Sequence, residues 1–267
     1  SLSCSIVPKD GDGVVLNAAA TAASLRVKSI SGGITREHDH VRYTGIAAAP
    51  FQATLELKKA GPAVVQLWVS TKDGVQMVEE VASVTVVSGP VAAATSLLTC
   101  DIGEYATAGE QQACAVRLRD ANGNDIVPTA TDAGKLSASL AAVGGSERIA
   151  VEPGVPAADA AVISLQPVAT VAGQKQLEVT YDDVPLGNTV AFDVQAGAMS
   201  ASSTFACEPE VVAGADAICT LTARDAHGNA AKPGPEDAAN LVPSVTFVAF
   251  NGASAALSTL GLPTSVV

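Results

Sequence analysis

Three stretches of the chain line up on a cysteine, and this internal repeat limits the fold more than any other feature. The first runs Cys4-Ser-Ile6-Val-Pro-Lys9-Asp10-Gly-Asp12-Gly13. The second runs Cys114-Ala-Val116-Arg-Leu118-Arg119-Asp120-Ala-Asn122-Gly123-Asn124, and the third Cys219-Thr-Leu221-Thr-Ala223-Arg224-Asp225-Ala-His227-Gly228-Asn229. The anchor cysteines stand 110 and 105 residues apart. Between the second and third copies the match continues without a gap. Asp132 and Asp237 lie 18 residues after their cysteine, Leu136 and Leu241 lie 22 after, and Leu140 and Val245 lie 26 after. Ala108-Gly109 and Ala213-Gly214 both end five residues before it, with Cys100 and Cys207 further upstream.

The later part of the unit repeats as well. Ala60-Gly61 precedes Val65-Gln-Leu67-Trp68-Val69, and Ala172-Gly173 precedes Gln176-Leu177-Glu-Val179-Thr-Tyr181. A further strand-like run follows each, then a short linker, Ser88-Gly89-Pro90 in one case and Ala196-Gly197-Ala198 in the other. The unit is therefore about 105–110 residues long, and the chain is out of phase with it. Residues 1–89 are expected to form a repeat lacking its first strand, 90–197 a complete repeat, and 198–267 the first half of a third. The phase reads as a piece of a longer array, joined by linkers of roughly eight residues that permit a semi-rigid rod.

Around each anchor cysteine the pattern alternates. Cys114, Val116 and Leu118 share one face and Arg117 and Arg119 the other; Cys219, Leu221 and Ala223 repeat this. Period two with one apolar face predicts half-buried antiparallel strands. Phe51 to Leu57 and Val162 to Leu165 read the same way, turn signals recur, and no stretch predicts a long amphipathic helix. The Ala-rich segments Asn17 to Ala23 and Ala157 to Ala161 read as loops or single turns. The fold class is all-β: tandem immunoglobulin-like β-sandwiches of about seven short strands per unit.

The cysteines follow from that layout. Cys100 lies on the opening strand of its copy and Cys114 on the next, across an Ala-Gly turn; Cys207 and Cys219 repeat the arrangement. Neighbouring antiparallel strands bring such residues within bridging distance, which predicts Cys100–Cys114 and Cys207–Cys219 disulfides. Each closes a loop worth roughly 3 kcal/mol in the chain-entropy model. The alternative is a set of buried free thiols. Cys4 holds the anchor position of the first copy, so its partner is expected upstream of residue 1. Disulfides imply an oxidising compartment, hence an extracellular or cell-surface location.

Composition narrows the function. With 15 basic against 27 acidic residues, a net charge of −12, the chain lacks the basic surface that nucleic acid or an anionic membrane requires. Aromatics make up only 3%, which suits thin cores of Val, Leu and Ala rather than stacking platforms. No apolar run approaches a membrane span, no signal-peptide pattern opens the chain, and no Asn-x-Ser/Thr sequon occurs. No catalytic motif is found, and no cofactor is expected. The Asp120-x-Asn122-x-Asn124 stretch reads as a tight turn. The alternative is a calcium site at these Asp/Asn-rich turns, but Asp125 stands where a calcium loop needs Gly, and Asp10-x-Asp12-Gly13 is similarly partial. Glu37-His38-Asp39-His40 offers two imidazoles without a third ligand. The pairs Glu79-Glu80 and Asp182-Asp183 are sequence neighbours, the second expected to cap a hairpin turn.

The units resemble filamin-type immunoglobulin repeats. The carrying residues are Ala-Gly before the anchor strand, the strand ending in Arg-Asp-Ala-x-Gly-Asn (Arg119 to Asn124, Arg224 to Asn229), and Ala-Gly opening a late strand. Bacterial invasin-type adhesion domains share a similar turn. The paired cysteines depart from cytosolic filamins and look more like the extracellular filamin-like repeats of plant and green-algal gamete-surface adhesion proteins, including the plus-gamete fusion family. That resemblance implies a non-enzymatic ectodomain in adhesion or recognition, with a protein partner on another cell. The alternatives are an extracellular filament, such as an algal ciliary mastigoneme, in which neighbouring subunits are the partners, and a cytosolic scaffold.

Overall fold

The computed structural model describes residues 2–7, 25–38, 41–44, 51–71, 74–145, 148–157, 160–210, 212, 219–232, 245–248 and 254–257. The fold is almost entirely β and immunoglobulin-like. In the first unit, β1 (Leu2–Ile6), β5 (Phe51–Leu55) and β4 (Val41–Tyr43) form one sheet. The facing sheet runs β3 (Ile34–His38), β2 (Leu25–Ser31), β6 (Gly61–Thr71), β7 (Gly74–Val86). Alternation places Leu25, Val27, Phe51, Ala53, Leu55 and Val65 inward, where they close a small core. Phe51 is fully buried there.

The second unit is built from two sheets. β8 (Leu97–Asp101), β10 (Ala113–Arg117) and β13 (Ile163–Leu165) make one sheet. The other runs β12 (Arg148–Val151), β11 (Leu136–Ala142), β14 (Gly173–Tyr181), β16 (Val190–Gln195) and β9 (Ala106–Thr107), with β15 (Val184–Pro185) beside β14. β9 pairs in parallel with β16, so between Asp101 and Ala106 the chain crosses from one sheet to the other and covers an edge. Val116, Leu118, Ile163, Leu165 and Leu177 are at most 1% exposed. Each such aliphatic side chain contributes roughly 1.5–3 kcal/mol by leaving water. In a core almost without rings, stability rests on many such small terms. Asn188 ties the sheets together: its Nδ2 donates to the Leu98 carbonyl (2.8 Å) and its Oδ1 accepts from the Leu98 amide (2.9 Å).

One element departs from the sequence reading. A single-turn helix, α1 (Ala130–Ala133), precedes β11, opened by a capping box in which Thr129 and Asp132 exchange hydrogen bonds. The Thr-x-x-Asp spacing is visible in the sequence, but four residues are too few to show a helical period. The Asp182-Asp183 turn is a hairpin with both residues at positive φ, 47° and 64°, the backbone a two-residue connection requires. Of the Ala-rich segments, Asn17 to Ala23 lies outside the described residues. In the segment Ala157 to Ala161, of which residues 158 and 159 lie outside the described residues, the Ala160 amide donates to the Ala157 carbonyl.

Of the third unit, β17 (Thr204–Cys207) pairs with β18 (Cys219–Thr222), and β19 (Val245–Val248) with β20 (Ser254–Leu257).

Candidate functional site

The Asp-Ala-x-Gly-Asn turn that follows each anchor strand is built twice in the same way, and each time it joins three parts of the chain. Its local geometry comes first. Asp120 Oδ1 accepts from the amides of Asn122 (2.8 Å) and Asn124 (2.9 Å), folding the backbone back on itself. Gly123 takes φ +76° and Gly228 φ +83°, a region glycine enters without steric cost.

The other carboxylate oxygen reaches the linker. Asp120 Oδ2 accepts from the amide of Gly89 (2.9 Å) and from Asn124 Nδ2 (2.8 Å). In the next copy, Asp225 Oδ2 accepts from the Gly197 amide (2.9 Å) and Asn229 Nδ2 (2.7 Å). The asparagine extends the network into the preceding unit. Asn124 Oδ1 accepts from the Ala60 amide (2.9 Å), and its Nδ2 also donates to the Lys58 carbonyl (2.8 Å). Asn229 does the same to the Ala172 amide (2.9 Å) and the Thr170 carbonyl (2.8 Å). The receiving loops are those carrying the recurrent Ala-Gly pairs. Each joint therefore staples the end of one unit, the linker and the start of the next.

Residue types follow from this wiring. The asparagine must both accept from an amide and donate to a carbonyl and a carboxylate, which only a side-chain amide does. Asp120 and Asp225 are 2% and 1% exposed. Burial by itself pushes the Asp120 carboxyl up. The Asn124 side chain and the amides of Gly89, Asn124 and Asn122 outweigh it and hold the group down to about 2. Asp225 is likewise held at about 2: burial raises it, but the Asn229 side chain and the Gly197, Asn229 and His227 amides outweigh that and lower it.

The two joints are not identical. At the second, His227 lies against the Gly109 turn of the preceding unit, where a Cβ on Gly109 would sit 2.2 Å from its Nε2. At the first, the matching position is Asn122, beside an open cleft of about 330 Å3 lined by Lys58, Thr85, Gly89, Asp120 and Asn124 among others.

The calcium reading of this turn does not fit the geometry. Four N–H groups saturate each aspartate, leaving no lone pair turned outward for a cation. The Asp10-x-Asp12-Gly13 stretch lies outside the described residues. His38 is engaged with Ser29, Nε2 to Oγ 2.8 Å; Asp39 and His40 lie outside the described residues. Glu79 and Glu80 are on β7, opposite Leu67 and Gln66.

The cysteines sit directly across strand pairs. Cys100 on β8 is opposite Cys114 on β10, and Cys207 on β17 is opposite Cys219 on β18. Both pairs are disulfide-bonded, with Cα–Cα distances of 4.0 and 3.9 Å. Cys4 on β1 is opposite Ala53 of β5 and carries a free thiol, which burial pushes up.

The recurrence of the turn was legible from sequence; its role as a joint was not. The missed signal is the pairing of two recurrences, the turn asparagine with the Ala-Gly loop of the preceding unit, 64 residues apart at the first joint and 57 at the second. Each pair crosses a unit boundary, where no periodicity announces a contact.

No family model matches the chain, and no curated protein matches it. Among solved structures it is similar to the Lin-41 filamin domain, at 21% identity over 41% of this chain and 100% of that one, TM-score 0.31. It is similar to invasin, a bacterial integrin-binding protein, at 17% identity over 84% of this chain and 43% of that one, TM-score 0.40. InvD of Yersinia pseudotuberculosis is similar at 11% identity over 96% of this chain and 73% of that one, TM-score 0.40.

Proposed function

We propose that the chain is a stretch of a non-enzymatic, extracellular repeat array that acts in cell-surface adhesion and recognition, holding a binding surface away from the cell on a stiffened stalk. The observation that carries this reading is the joint built twice from the same Asp and Asn. A linker free to flex would leave Gly89 and Gly197 amides in water; here each is fastened by a buried carboxylate. Two cross-strand disulfides fit an oxidising compartment. The acidic charge leaves a protein partner on another cell rather than nucleic acid. The likeness of the cysteine-paired repeats to gamete-surface adhesion proteins makes gamete contact the first case to examine.

One observation favours a second reading, a structural filament. The receiving groups of the joint are backbone amides and carbonyls, so one repeat can follow another regardless of most of its sequence. The two readings separate by experiment. The adhesion reading expects a monodisperse chain in analytical ultracentrifugation, beads of which bind cells of the opposite mating type. Concentration-dependent fibres with no cell binding would replace it with the filament. Small-angle scattering showing freely jointed units would refute both.

A further inference from the structure

The first unit carries a polar pocket rich in cations at positions where the second unit, built on the same strands, has mostly apolar residues. Ser29, Ser31, Arg36, Lys58, Lys59 and Asn122, together with Glu56 and the apolar Ile34 and Leu57, line an open cavity of about 200 Å3 beside the first joint. Strand register matches each position to the second unit. Ser29 is opposite Val65 and Arg36, as Leu140 is opposite Leu177 and Ile149. Ser31 is opposite Ala63, as Ala142 is opposite Lys175. Lys58 receives the joint asparagine as Thr170 does, which places Lys59 with Val171. Where the second unit has Leu140, Ala142, Ile149, Thr170 and Val171, the first has Ser, Ser, Arg, Lys and Lys.

The substitution is costly at one position. Ser29 is 2% exposed at a site where Leu140 is 1% exposed in the other core, and a buried hydroxyl in place of leucine gives up apolar burial. Its hydroxyl is engaged with His38 Nε2 (2.8 Å), whereas the second unit forms the same sheet with leucine at that position. The charges are equally selective. Lys58 faces Glu56 (3.5 Å), but neither Arg36 nor Lys59 has an ion pair among the described residues. Residues 1–89 hold eight basic and eight acidic residues, so the whole charge of −12 lies on the remainder. An anion repelled by the rest of the chain meets a neutral unit here.

We propose that this pocket binds a single oxyanion group, sulfate, phosphate or carboxylate, with Arg36 and Lys59 as its charge partners and the Asn122 side-chain Nδ2 as a donor from the following unit. Because the cations are exposed, the bare ion binds weakly, with a Kd on the order of a millimolar. Occupancy bridges two units at the joint.

The test is an NMR titration of the full chain with inorganic sulfate, inorganic phosphate and acetate, each at constant ionic strength. The expected result is saturable shifts of the Arg36, Lys59 and Asn122 amides with at least one of the three, and none at Ile149 and Val171. The double variant Arg36→Ile, Lys59→Val installs the second unit's own residues and keeps the fold. It weakens binding by at least about tenfold. Absence of saturable shifts with all three probes, or equal binding by the double variant, overturns the proposal. Neither outcome depends on the stiffness of the array, which scattering tests separately.

Discussion

Removing the Asn124 side chain separates the joint from the fold of either unit. In Asn124→Ala, the Ala60 amide loses its acceptor and the Lys58 carbonyl loses its donor, two hydrogen bonds that cross between units. A third, to Asp120 Oδ2, is lost inside the turn. Each hydrogen bond contributes about 1 kcal/mol net, and a buried group left without a partner costs about 1–3 kcal/mol more. Lys58 and Ala60 are near the surface, so water recovers part of that loss, whereas Asn124 itself is 3% exposed. The joint should therefore lose roughly 2–4 kcal/mol, a factor of roughly 30 to several hundred in its closed-to-open ratio. Two NMR measurements read this. The Ala60 amide should lose its protection from hydrogen exchange, and 15N relaxation should change from one tumbling body spanning the first two units to two. The Asn124 turn stays held by the Asp120 backbone bonds, so the second unit keeps its disulfide and its fold. The reasoning is refuted if Ala60 exchanges at the wild-type rate and the two units still tumble together. An Asn124→Asp variant, equal in size, should loosen the joint at neutral pH at least as much, because it lacks the donor and sets a second carboxylate against Asp120.

Three further outcomes follow from the same geometry. Asp120 and Asp225 have folded pKa values of about 2, below their ordinary 3.8, so their contribution is complete above about pH 4 and is lost as pH falls towards 2; exchange at Gly89 and Gly197 should accelerate over that window and not between pH 5 and 8. Gly109→Ala puts a Cβ on a residue at φ +86° and against His227, so it should expose the Ala172 amide of the second joint to exchange while leaving Ala60 of the first protected. Replacing Cys100 and Cys114 with serine should cost roughly 3 kcal/mol and lower the melting temperature of the second unit by roughly 10–20 °C in calorimetry, with no change in either joint.

Much of this molecule was readable in its order of residues because the relevant physics is local. Alternation around Cys114 and Cys219 sets which side chains face inward, and it does so for any strand with one dry face. The Asp182-Asp183 turn and the glycine of each Asp-Ala-x-Gly-Asn stretch are backbone requirements confined to a few residues. The opposition of Cys100 to Cys114 follows from two neighbouring strands and a short turn. The capping box at Thr129 was equally local, but one turn is too short for a period to reveal it.

The joints belong to another category. Asn124 and Ala60 share no strand, no hairpin and no periodicity. They meet only because two sandwiches and a linker place a turn of one unit on a loop of the other. The same holds for Ser29 and Lys59, brought to one pocket from β2 and from the loop before β6. Sequence by itself determined a repeated, disulfide-paired β-sandwich, because burial and turn chemistry act over a few residues. Only the tertiary structure decided that the recurrent Asp and Asn fasten one unit to the next. Their partners are backbone groups, which every residue carries and no sequence pattern marks.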